Sequence, residues 1–461
     1  MKRMRKPLIY TALKRYAESN PVRLHMPGHK GRSAGSTFAK DLYSLAPYDI
    51  TELSFSGCLE TNEGIISEAE KNVAEILGAK HCHFVTDGSS AAILSMIFAM
   101  KGTGRKIILQ RNSHKSVFNA IDLFGLEPLF LPSVSKDGIP YADTDALEKI
   151  LTEETDVCGA VLISPDYYGI VPDLKKAAFI AHKHSILLGI DGAHGGHLKF
   201  SAPEFYAGNY ADVWVDGVHK TLPCYTQCSL LCTNDEDLNR EILKGLSFFR
   251  TTSPSYPLMA SIEFGEYYAE HYGKSKYPKL LENIRFFKEN ANILGVEFAE
   301  KTDKTKIIID CDSSLICAEK LADFLEKNGV FIEMNDGRYL CLMASIMTEK
   351  KDLTKVLRVL KEYMRLQKVP YITQKQHNSN SLPLRAMTYN RALKAEAEYV
   401  PIEKASGRIA AVNAGVFPPC YPIVLAGEII DGGAIHILKN NKNVFGTENG
   451  YIKVVKEKNE R

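Results

Sequence analysis

Short apolar segments alternate with helix-like apolar spacing through the middle of the chain. Strands are predicted at 81–85, 106–109, 159–163, 186–190, 212–215 and 229–231, and helices at 65–77, 91–100, 143–153 and 173–184. Strands that are apolar along their whole length belong in a sheet covered on both faces. The pattern therefore predicts an α/β fold with a mainly parallel central sheet.

The pattern differs on either side of this region. Residues 1–60 are irregular and rich in His, Gly and Pro, which favours a surface arm. After the sheet, helices are predicted at 257–272, 277–293, 317–328 and 350–366, and strands at 305–310, near 330–333 and at 339–343. The predicted organisation is an N-terminal arm (1–60), a large domain (61–300), a small α+β domain (301–368), a linker (369–383) and a C-terminal α+β domain (384–461).

Composition narrows the class of protein. The 461 residues are 45% hydrophobic, and 57 Lys and Arg nearly balance 55 Asp and Glu, so no charge excess indicates a nucleic acid partner. The sequence shows neither the apolar run of a signal peptide nor one that could span a membrane. The ten cysteines form no disulfide-scaffold pattern, and Cys224, Cys228 and Cys232 match no common iron–sulfur spacing. Reduced thiols and a cytoplasmic location are therefore expected.

The segment Gly88-Ser89-Ser90 follows a predicted strand and opens a predicted helix. Free backbone N–H groups and the helix dipole favour an anion at such a position, and the two hydroxyl groups add donors. The alternative is an ordinary helix cap, because serine is a preferred N-cap residue. Alone, the segment does not decide between a phosphate site and a cap.

Two charged residues lie at the ends of predicted strands. Asp191 ends one of them, and ligands of open parallel sheets bind beyond such ends. Asp191, His194 and His197 could instead bind a metal, but no second cluster completes a site, and no metal is predicted. Lys220 follows another strand, beside His219. If partly desolvated, this lysine would have a lowered pKa and could form a Schiff base; the alternative is a simple loop lysine.

These features are more informative together. A phosphate cradle, a carboxylate at a strand end and, 29 residues later, a strand-end lysine are the groups that pyridoxal phosphate chemistry requires. The lysine would bind the cofactor aldehyde, and the aspartate would keep the pyridine nitrogen protonated. A protonated ring accepts the electron pair that forms at the substrate α-carbon.

At this point the sequence resembles the ornithine/lysine/arginine decarboxylase family of fold-type-I pyridoxal phosphate enzymes. Its segments follow the family's order: His25–Gly31 (HMPGHKG), Tyr48–Glu52 (YDITE), Thr86–Ser90 (TDGSS), Arg111–Ser116 (RNSHKS), Ser164–Gly169 (SPDYYG), Asp191–His197 (DGAHGGH), His219–Leu222 (HKTL), Thr226-Gln227, Thr251–Tyr256 (TTSPSY) and Gly407–Ile409 (GRI). The length resembles the short bacterial form that lacks an N-terminal wing domain. The resemblance implies a large domain of the fold-type-I class and decarboxylation of arginine, lysine or ornithine. It also implies a homodimer with shared active sites.

The resemblance also implies residue roles. Lys220 would carry the cofactor, Asp191 would contact the pyridine nitrogen, and His114 would stack on the ring. The implied catalytic residues are Lys220, His114, Asp191 and His219, and the implied cofactor-binding residues are Gly88, Ser89, Ser90, His114, Asp191, His194, His219 and Lys220. Ser253 and Ser255 would serve the phosphate of the neighbouring subunit. The arm at His25–Lys30 would approach a site.

The sequence departs from the family pattern at three positions. Val412 replaces a glutamate, Cys420 replaces a glycine, and Cys58 lies near the place of an aspartate. Burying a substrate ammonium or guanidinium without a carboxylate partner is costly. We therefore expect either a compensating acid or a less cationic substrate; the acids considered are Glu52, Glu60 and Glu333.

Two other functions stay open. The same scaffold could perform another pyridoxal phosphate reaction, such as transamination, elimination or aldol cleavage, with an altered side-chain pocket. A non-catalytic homologue is the other alternative, although a binding module has no need to retain Lys220, Asp191 and His114 together. The product distinguishes the reactions: carbon dioxide and an amine for decarboxylation, a keto acid or a cleaved side chain for the others.

Overall fold

The structure is a computed structural model that describes residues 4–32, 40–61, 63–102, 104–136, 139–367, 369–371, 383–417, 420–441 and 443–457. Its first part contains α1 (Leu8–Glu18), α2 (Gly64–Leu77), β1 (His81–Val85), α3 (Gly88–Met100), β2 (Lys106–Gln110), α4 (Lys115–Phe124), β3 (Glu127–Leu131), β4 (Ser133–Lys136), β5 (Ile139–Ala142), α5 (Ala146–Glu153), β6 (Val157–Ile163), α6 (Leu174–Lys183), β7 (Leu187–Gly192), α7 (Leu198–Ser201), β8 (Val213–Asp216), α8 (Val218–Thr221), β9 (Ser229–Thr233), α9 (Glu236–Phe249) and α10 (Tyr256–Asn292).

The central sheet has, within these described ranges, seven strands in the order β1-β9-β8-β7-β6-β2-β3. Strand β9 runs antiparallel to both neighbours, and the other pairs are parallel. One face packs on α3, α4 and α9, and the other on α2, α5, α6 and the first half of α10. The inner strands are mainly apolar and buried along nearly their whole length, which confirms the predicted mainly parallel α/β sheet.

Helix α1 contradicts the expectation of an irregular N-terminal segment. Ile9 and Leu13, four residues apart, are buried on one side of it. The backbone N–H groups of Leu8 and Ile9 donate to the Glu263 carboxylate of α10 at 2.6 and 2.9 Å. A tertiary carboxylate thus satisfies helix-end donors that have no partner within the helix.

Helix α10 is continuous, so the prediction of two helices at 257–272 and 277–293 is wrong. Pro278 lies inside the helix, where a proline ordinarily disfavours continuation. The first half of α10 packs on the core of the central sheet, whereas Tyr277 and later residues pack on the small domain. Burial along both halves outweighs the local cost of the proline.

The small domain contains β10 (Glu297–Ala299), β11 (Lys306–Asp310), α11 (Ala318–Lys327), β12 (Met334–Asn335), β13 (Tyr339–Met343) and α12 (Lys350–Leu366). Its antiparallel sheet has the order β10-β11-β13-β12. The strand expected near 330–333 lies at β12 instead, where only two residues pair with β13. Val330 and Ile332 pack on the helix side of this domain instead.

The C-terminal part contains α13 (Tyr389–Lys394), β14 (Ala397–Pro401), β15 (Ala414–Val416), β16 (Tyr421–Val424), α14 (Gly432–Asn440), β17 (Val444–Phe445), β18 (Thr447–Glu448) and β19 (Tyr451–Val455). Its strands form sheets of order β14-β19-β18 and β16-β15-β17. Most of the predicted linker, residues 372–382, lies outside the described residues. No helix of the described chain is long and apolar enough to cross a membrane.

A buried ion pair joins the C-terminal part to the central sheet. Arg111 donates to Glu428 Oε2 at 2.8 Å and to the carbonyl groups of Pro422 and Ile423 at 2.8 and 3.1 Å. The side chains of Arg111 and Glu428 are only 9% and 5% exposed. The arginine of the RNSHKS motif therefore holds the C-terminal part in place.

Replacing Arg111 by Met is expected to lower the free energy of unfolding by about 3–5 kcal/mol, because Glu428 is left as an uncompensated buried charge. Thermal unfolding and limited proteolysis of the C-terminal part measure the loss. Arg391→Met, at an exposed position of α13, is the matched control. The double variant Arg111→Met/Glu428→Gln should recover part of the stability. Equal unfolding of Arg111→Met and Arg391→Met would show that the pair does not hold the C-terminal part.

Candidate active site

A cavity of about 250 Å³ lies at the carboxyl ends of the parallel strands. Its wall includes these residues that the sequence singled out: Gly88, Ser89, Ser90, His114, Asp191, His194, His219 and Lys220. They come from the starts of α3 and α4, the end of β7 and helix α8. Parallel strands bring their carboxyl ends to one edge of a sheet, which is why residues so distant in sequence meet here.

Lys220 lies in α8, directly after β8. Gly217 precedes this helix, and a Cβ atom there would come within 2.4 Å of the Ala193 carbonyl oxygen and 2.9 Å of Ser89 Oγ. The missing side chain thus permits the lysine-bearing turn to approach both the Asp191 loop and the start of α3. Burial lowers the pKa of Lys220, and Lys306 lowers it further, although Asp191 opposes this shift.

Asp191 is 3% exposed and lies near the end of β7. Its Oδ1 accepts a hydrogen bond from the Ala193 N–H group at 3.1 Å. Its neighbours on the adjacent strands are Ile163 of β6 and Val215 of β8. The carboxylate is therefore fixed on a rigid strand, which suits a group that must face one ring atom of a bound ligand.

The start of α3 forms the other end of the cavity. Gly88 has φ +78°, and its N–H group donates to the Gln227 carbonyl oxygen at 2.9 Å. Ser89 Oγ lies 3.3 Å from Ser229 Oγ. The first N–H groups of a helix have no partner within the helix, and the Asp87 side chain makes no capping bond to them here. This helix start is therefore suited to an anion.

Three histidines surround the lysine. His114 caps α4, and its Nδ1 accepts a hydrogen bond from the Ser116 N–H group at 3.2 Å. His219 Nδ1 donates to the Cys228 carbonyl oxygen at 2.7 Å. Burial lowers the pKa of His114 and of His219, and lowers that of His194 well below its usual range. Neutral imidazole rings therefore face Lys220, as stacking on a ligand ring requires.

Some predicted residues lie elsewhere. Ser253 is exposed and Ser255 is partly buried at the start of α10, and neither lines the cavity of its own chain. His197 turns away and bonds to Asp303 at 3.2 Å. No group of three His, Cys, Asp or Glu residues in the described ranges is arranged to hold a metal ion. All ten cysteines are free, and Cys232 pairs across strands with Cys82.

The departures from the family pattern also have a place in the structure. Val412 packs against the core of the C-terminal part and does not line the cavity. Cys420 has φ +64°, a left-handed conformation that favours glycine, and its carbonyl oxygen accepts a bond from the Lys115 N–H group at 2.8 Å. Cys58 is partly buried and also lies outside the cavity wall.

Among the acids considered as substitutes, Glu333 is the one whose charge acts on residues of the cavity wall. Burial, and then the charge of Glu333, raise the pKa of Tyr167 in the cavity wall. The same carboxylate acts on Lys220. Glu52, Glu60 and Glu333 all lie outside the cavity wall itself.

Sequence reasoning missed several residues of the wall. Tyr167 and Tyr168, within the SPDYYG motif, and Tyr421, next to Cys420, also line the wall, and a tyrosine by itself carries no signal of a ligand. The ring centroids of Tyr167 and His194 are 4.3 Å apart, and the Tyr168 hydroxyl bonds to Asp336 of the small domain. The C-terminal part therefore contributes Tyr421 to the wall, and the small domain contacts the wall residue Tyr168.

Family models match most of the chain. The model described as Orn/Lys/Arg decarboxylase, major domain, matches residues 7–311, and the C-terminal domain model of the same family matches residues 367–451. The chain belongs to the Orn/Lys/Arg decarboxylase family. Family membership confirms the predicted enzyme class, a decarboxylase that depends on pyridoxal phosphate.

Individual members of the Orn/Lys/Arg decarboxylase family resemble the whole chain. Arginine decarboxylase of Bacillus subtilis is 30% identical over 97% of this chain and 98% of its own length. The constitutive lysine decarboxylase of Escherichia coli has a TM-score of 0.78 at 19% identity over 98% of this chain and 82% of its own. Serine palmitoyltransferase of Sphingomonas wittichii, outside the family, reaches 0.58 at 16% identity over 78% of this chain and 84% of its own. These structures confirm the predicted fold class.

The cavity fits pyridoxal phosphate. An anion site at a helix start, a buried strand-end carboxylate and a partly buried lysine line one space, with neutral imidazole rings beside them. In the wall, Ser89 and Ser90 would hold the phosphate, Asp191 the ring nitrogen and Lys220 the aldehyde carbon.

Proposed function

We propose that this enzyme decarboxylates a basic amino acid, arginine, lysine or ornithine, to the corresponding amine and carbon dioxide in the cytoplasm. The observation that carries the proposal is that Lys220 and Asp191 line one cavity with the start of α3. When bound, pyridoxal phosphate supplies an aldehyde that captures amines and a protonated ring that accepts an electron pair. The chain's own residues orient the reacting groups, exclude water and hold or move protons.

The side chains have distinct tasks in this proposal. Asp191 holds a proton on the ring nitrogen through its fixed negative charge, which stabilises the developing negative charge in the transition state. Lys220 would supply the amine that holds the cofactor aldehyde, and its amine could donate a proton to the substrate α-carbon. His114 and His219 are neutral and orient the ring and the reacting groups. The tyrosines of the wall exclude water from the reacting carboxylate.

Glu333 is proposed as the partner of the distal cation of the substrate. Apart from Asp191, it is the carboxylate whose charge acts on both Lys220 and Tyr167 among the described residues. Val412 packs against the core of the C-terminal part and does not line the cavity. A glutamate at this position would therefore not place its charge in the cavity wall of its own chain. A basic substrate therefore remains favoured over a neutral one.

The reaction class is tested with carboxyl-labelled arginine, lysine and ornithine, beside neutral analogues of similar length. Mass spectrometry measures labelled carbon dioxide and the organic product. The proposal expects carbon dioxide and amine in equal amounts from a basic substrate. A keto acid as product would indicate transamination instead, and a cleaved side chain would indicate aldol cleavage. Bound cofactor without any product would indicate a non-catalytic homologue.

We also propose a homodimer in which Ser253 and Ser255 serve the partner's phosphate, because both residues lie outside the cavity of their own chain. Mixing the inactive variants Lys220→Ala and Ser253→Ala/Ser255→Ala should then restore part of the activity. In shared sites, one site of each mixed dimer carries both lesions and the other carries neither. No recovery after proven subunit exchange would contradict shared sites.

A further inference from the structure

A chain of three buried side chains connects the small domain to the reactive lysine. Lys306, the first residue of β11, lies with its Nζ 3.1 Å from His194 Nδ1. On the other side of the ring, His194 Nε2 lies 3.1 Å from Lys220 Nζ. Lys306 and His194 are 2% and 4% exposed, so water does not separate these groups from their partners. One imidazole therefore bridges two lysines.

Hydrogen-bond chemistry limits the protonation of this chain. A neutral imidazole has one N–H donor and one acceptor nitrogen, and an ammonium group can only donate. Burial first, and then the charge of Lys306, lowers the pKa of His194 well below its usual range, so the ring is neutral. Consequently only one lysine can be an ammonium group that donates to the ring. The other must be a free amine that accepts from the ring N–H group.

The surroundings assign the charge to Lys306. Two buried carboxylates act on it, from Asp303 and Asp166. Burial alone would raise the pKa of Asp303, but His197 and Lys306 lower it to about 2, so this carboxylate is ionised. A buried ammonium group needs such a partner.

The loop at Gly169 also leaves space for the Lys306 side chain. Gly169, the last residue of the SPDYYG motif, has φ +89°. A Cβ atom there would come within 2.9 Å of Lys306 Cγ and 3.2 Å of Asp303 Cβ. The Gly169 carbonyl oxygen also accepts a bond from the Asp303 N–H group at 2.9 Å. The motif thus lets the lysine stem pass and holds its counter-charge beside it.

We propose that Lys306 is a positioning residue: its ammonium group donates to His194 Nδ1, fixes the N–H group on Nε2, and so keeps Lys220 as a free amine. The inference rests on the proposed function for the use of that amine. A free amine condenses with an aldehyde, and its two hydrogens leave with the aldehyde oxygen as water; an ammonium group must first lose a proton. Lys306 therefore prepares Lys220 for cofactor capture at neutral pH.

Other charged or titratable groups also face the two lysines. Around Lys220 they are Asp191 of β7, His114 at the start of α4, His219 of α8, Tyr167, Glu333 before β12, and Cys420. Around Lys306 they are Asp166, Asp303 and Cys341 of β13. The negative charges of Asp191 and Glu333 favour the ammonium form of Lys220. The effect of Lys306 on Lys220 is therefore measured with both carboxylates in place.

The experiment labels the cofactor-free protein with a trace of isotopically labelled acetic anhydride across neutral and alkaline pH. Mass spectrometry then gives the reactivity of each lysine against pH. In wild type, Lys220 should become reactive at lower pH than exposed Lys304. In Lys306→Met the profile of Lys220 should shift upward, with reactivity near neutral pH about tenfold lower, which corresponds to one pKa unit.

Matched variants decide the outcome. Lys304→Met removes an exposed charge two residues away and should leave the Lys220 profile unchanged, and Lys306→Arg should keep it near wild type because the charge and donor remain. If Lys306→Met fails to fold, Lys306→Gln, which lacks the charge, makes the same comparison. The proposal is overturned if Lys220 in wild type titrates with or above Lys304, or if a folded, uncharged variant at 306 matches wild type. No turnover is measured, so an error in the reaction class leaves this result unaffected.

Discussion

Replacing Lys220 by Ala is expected to abolish turnover of every amino acid while the protein remains folded. Lys220 lies on a cavity wall, so its truncation removes little packing, but it removes the single lysine found among the described residues of that wall. Loss of a covalent catalytic group costs many powers of ten in rate. The product assay measures the loss, and circular dichroism checks the fold.

Lys199→Met is the matched control for this prediction. Lys199 is also partly buried, and burial lowers its pKa, but its Nζ bonds to the Leu77 carbonyl oxygen outside the cavity. Its variant should keep wild-type product formation per folded protein. Residual turnover in Lys220→Ala above a few thousandths of wild type would remove Lys220 from the catalytic role.

Replacing Asp191 by Asn should lower kcat by about a thousandfold, or about 4 kcal/mol of activation free energy. The amide keeps the shape and the hydrogen bond from Ala193 but cannot hold a proton on a pyridine nitrogen by its charge. Cofactor occupancy, measured by absorbance, should fall much less than kcat, because the start of α3 still binds phosphate.

Asp237→Asn, at an exposed position of α9, controls for the loss of one carboxylate. It should leave both kcat and occupancy unchanged. A variant at Asp191 that loses occupancy in proportion to turnover would mean that the carboxylate only helps to bind the cofactor. Near wild-type kcat would show that Asp191 is not the ring partner.

The central sheet could be predicted because its strands are short and apolar on both faces, a pattern with few other interpretations. The strand at His81–Val85 was predicted at its observed limits. Helix α1 and the continuity of α10 could not be, since the first depends on a carboxylate from residue 263 and the second on two cores that meet along one helix. Such long-range contacts leave no local signal.

In the candidate site too, residues with a local sequence signal could be predicted, and residues placed by long-range contacts could not. Residues in glycine-rich segments at strand ends, such as Asp191 and Lys220, carried a local signal because turns there expose polar groups to a cleft. Lys306 carried none: it begins an apolar strand and resembles a charge that solvates the strand end. Its role depends on the Gly169 loop and on His194, which are brought together only by the fold. Tyr421 likewise reaches the cavity only through the docked C-terminal part.

The most direct test of the account identifies the lysine that binds the cofactor. The protein is loaded with pyridoxal phosphate, reduced with borohydride and digested, and mass spectrometry locates the added mass. The account predicts that the label lies on Lys220 alone and that Lys306, its buried neighbour across His194, is unmodified. A label on Lys306 or on any other lysine, with Lys220 unmodified, would contradict it.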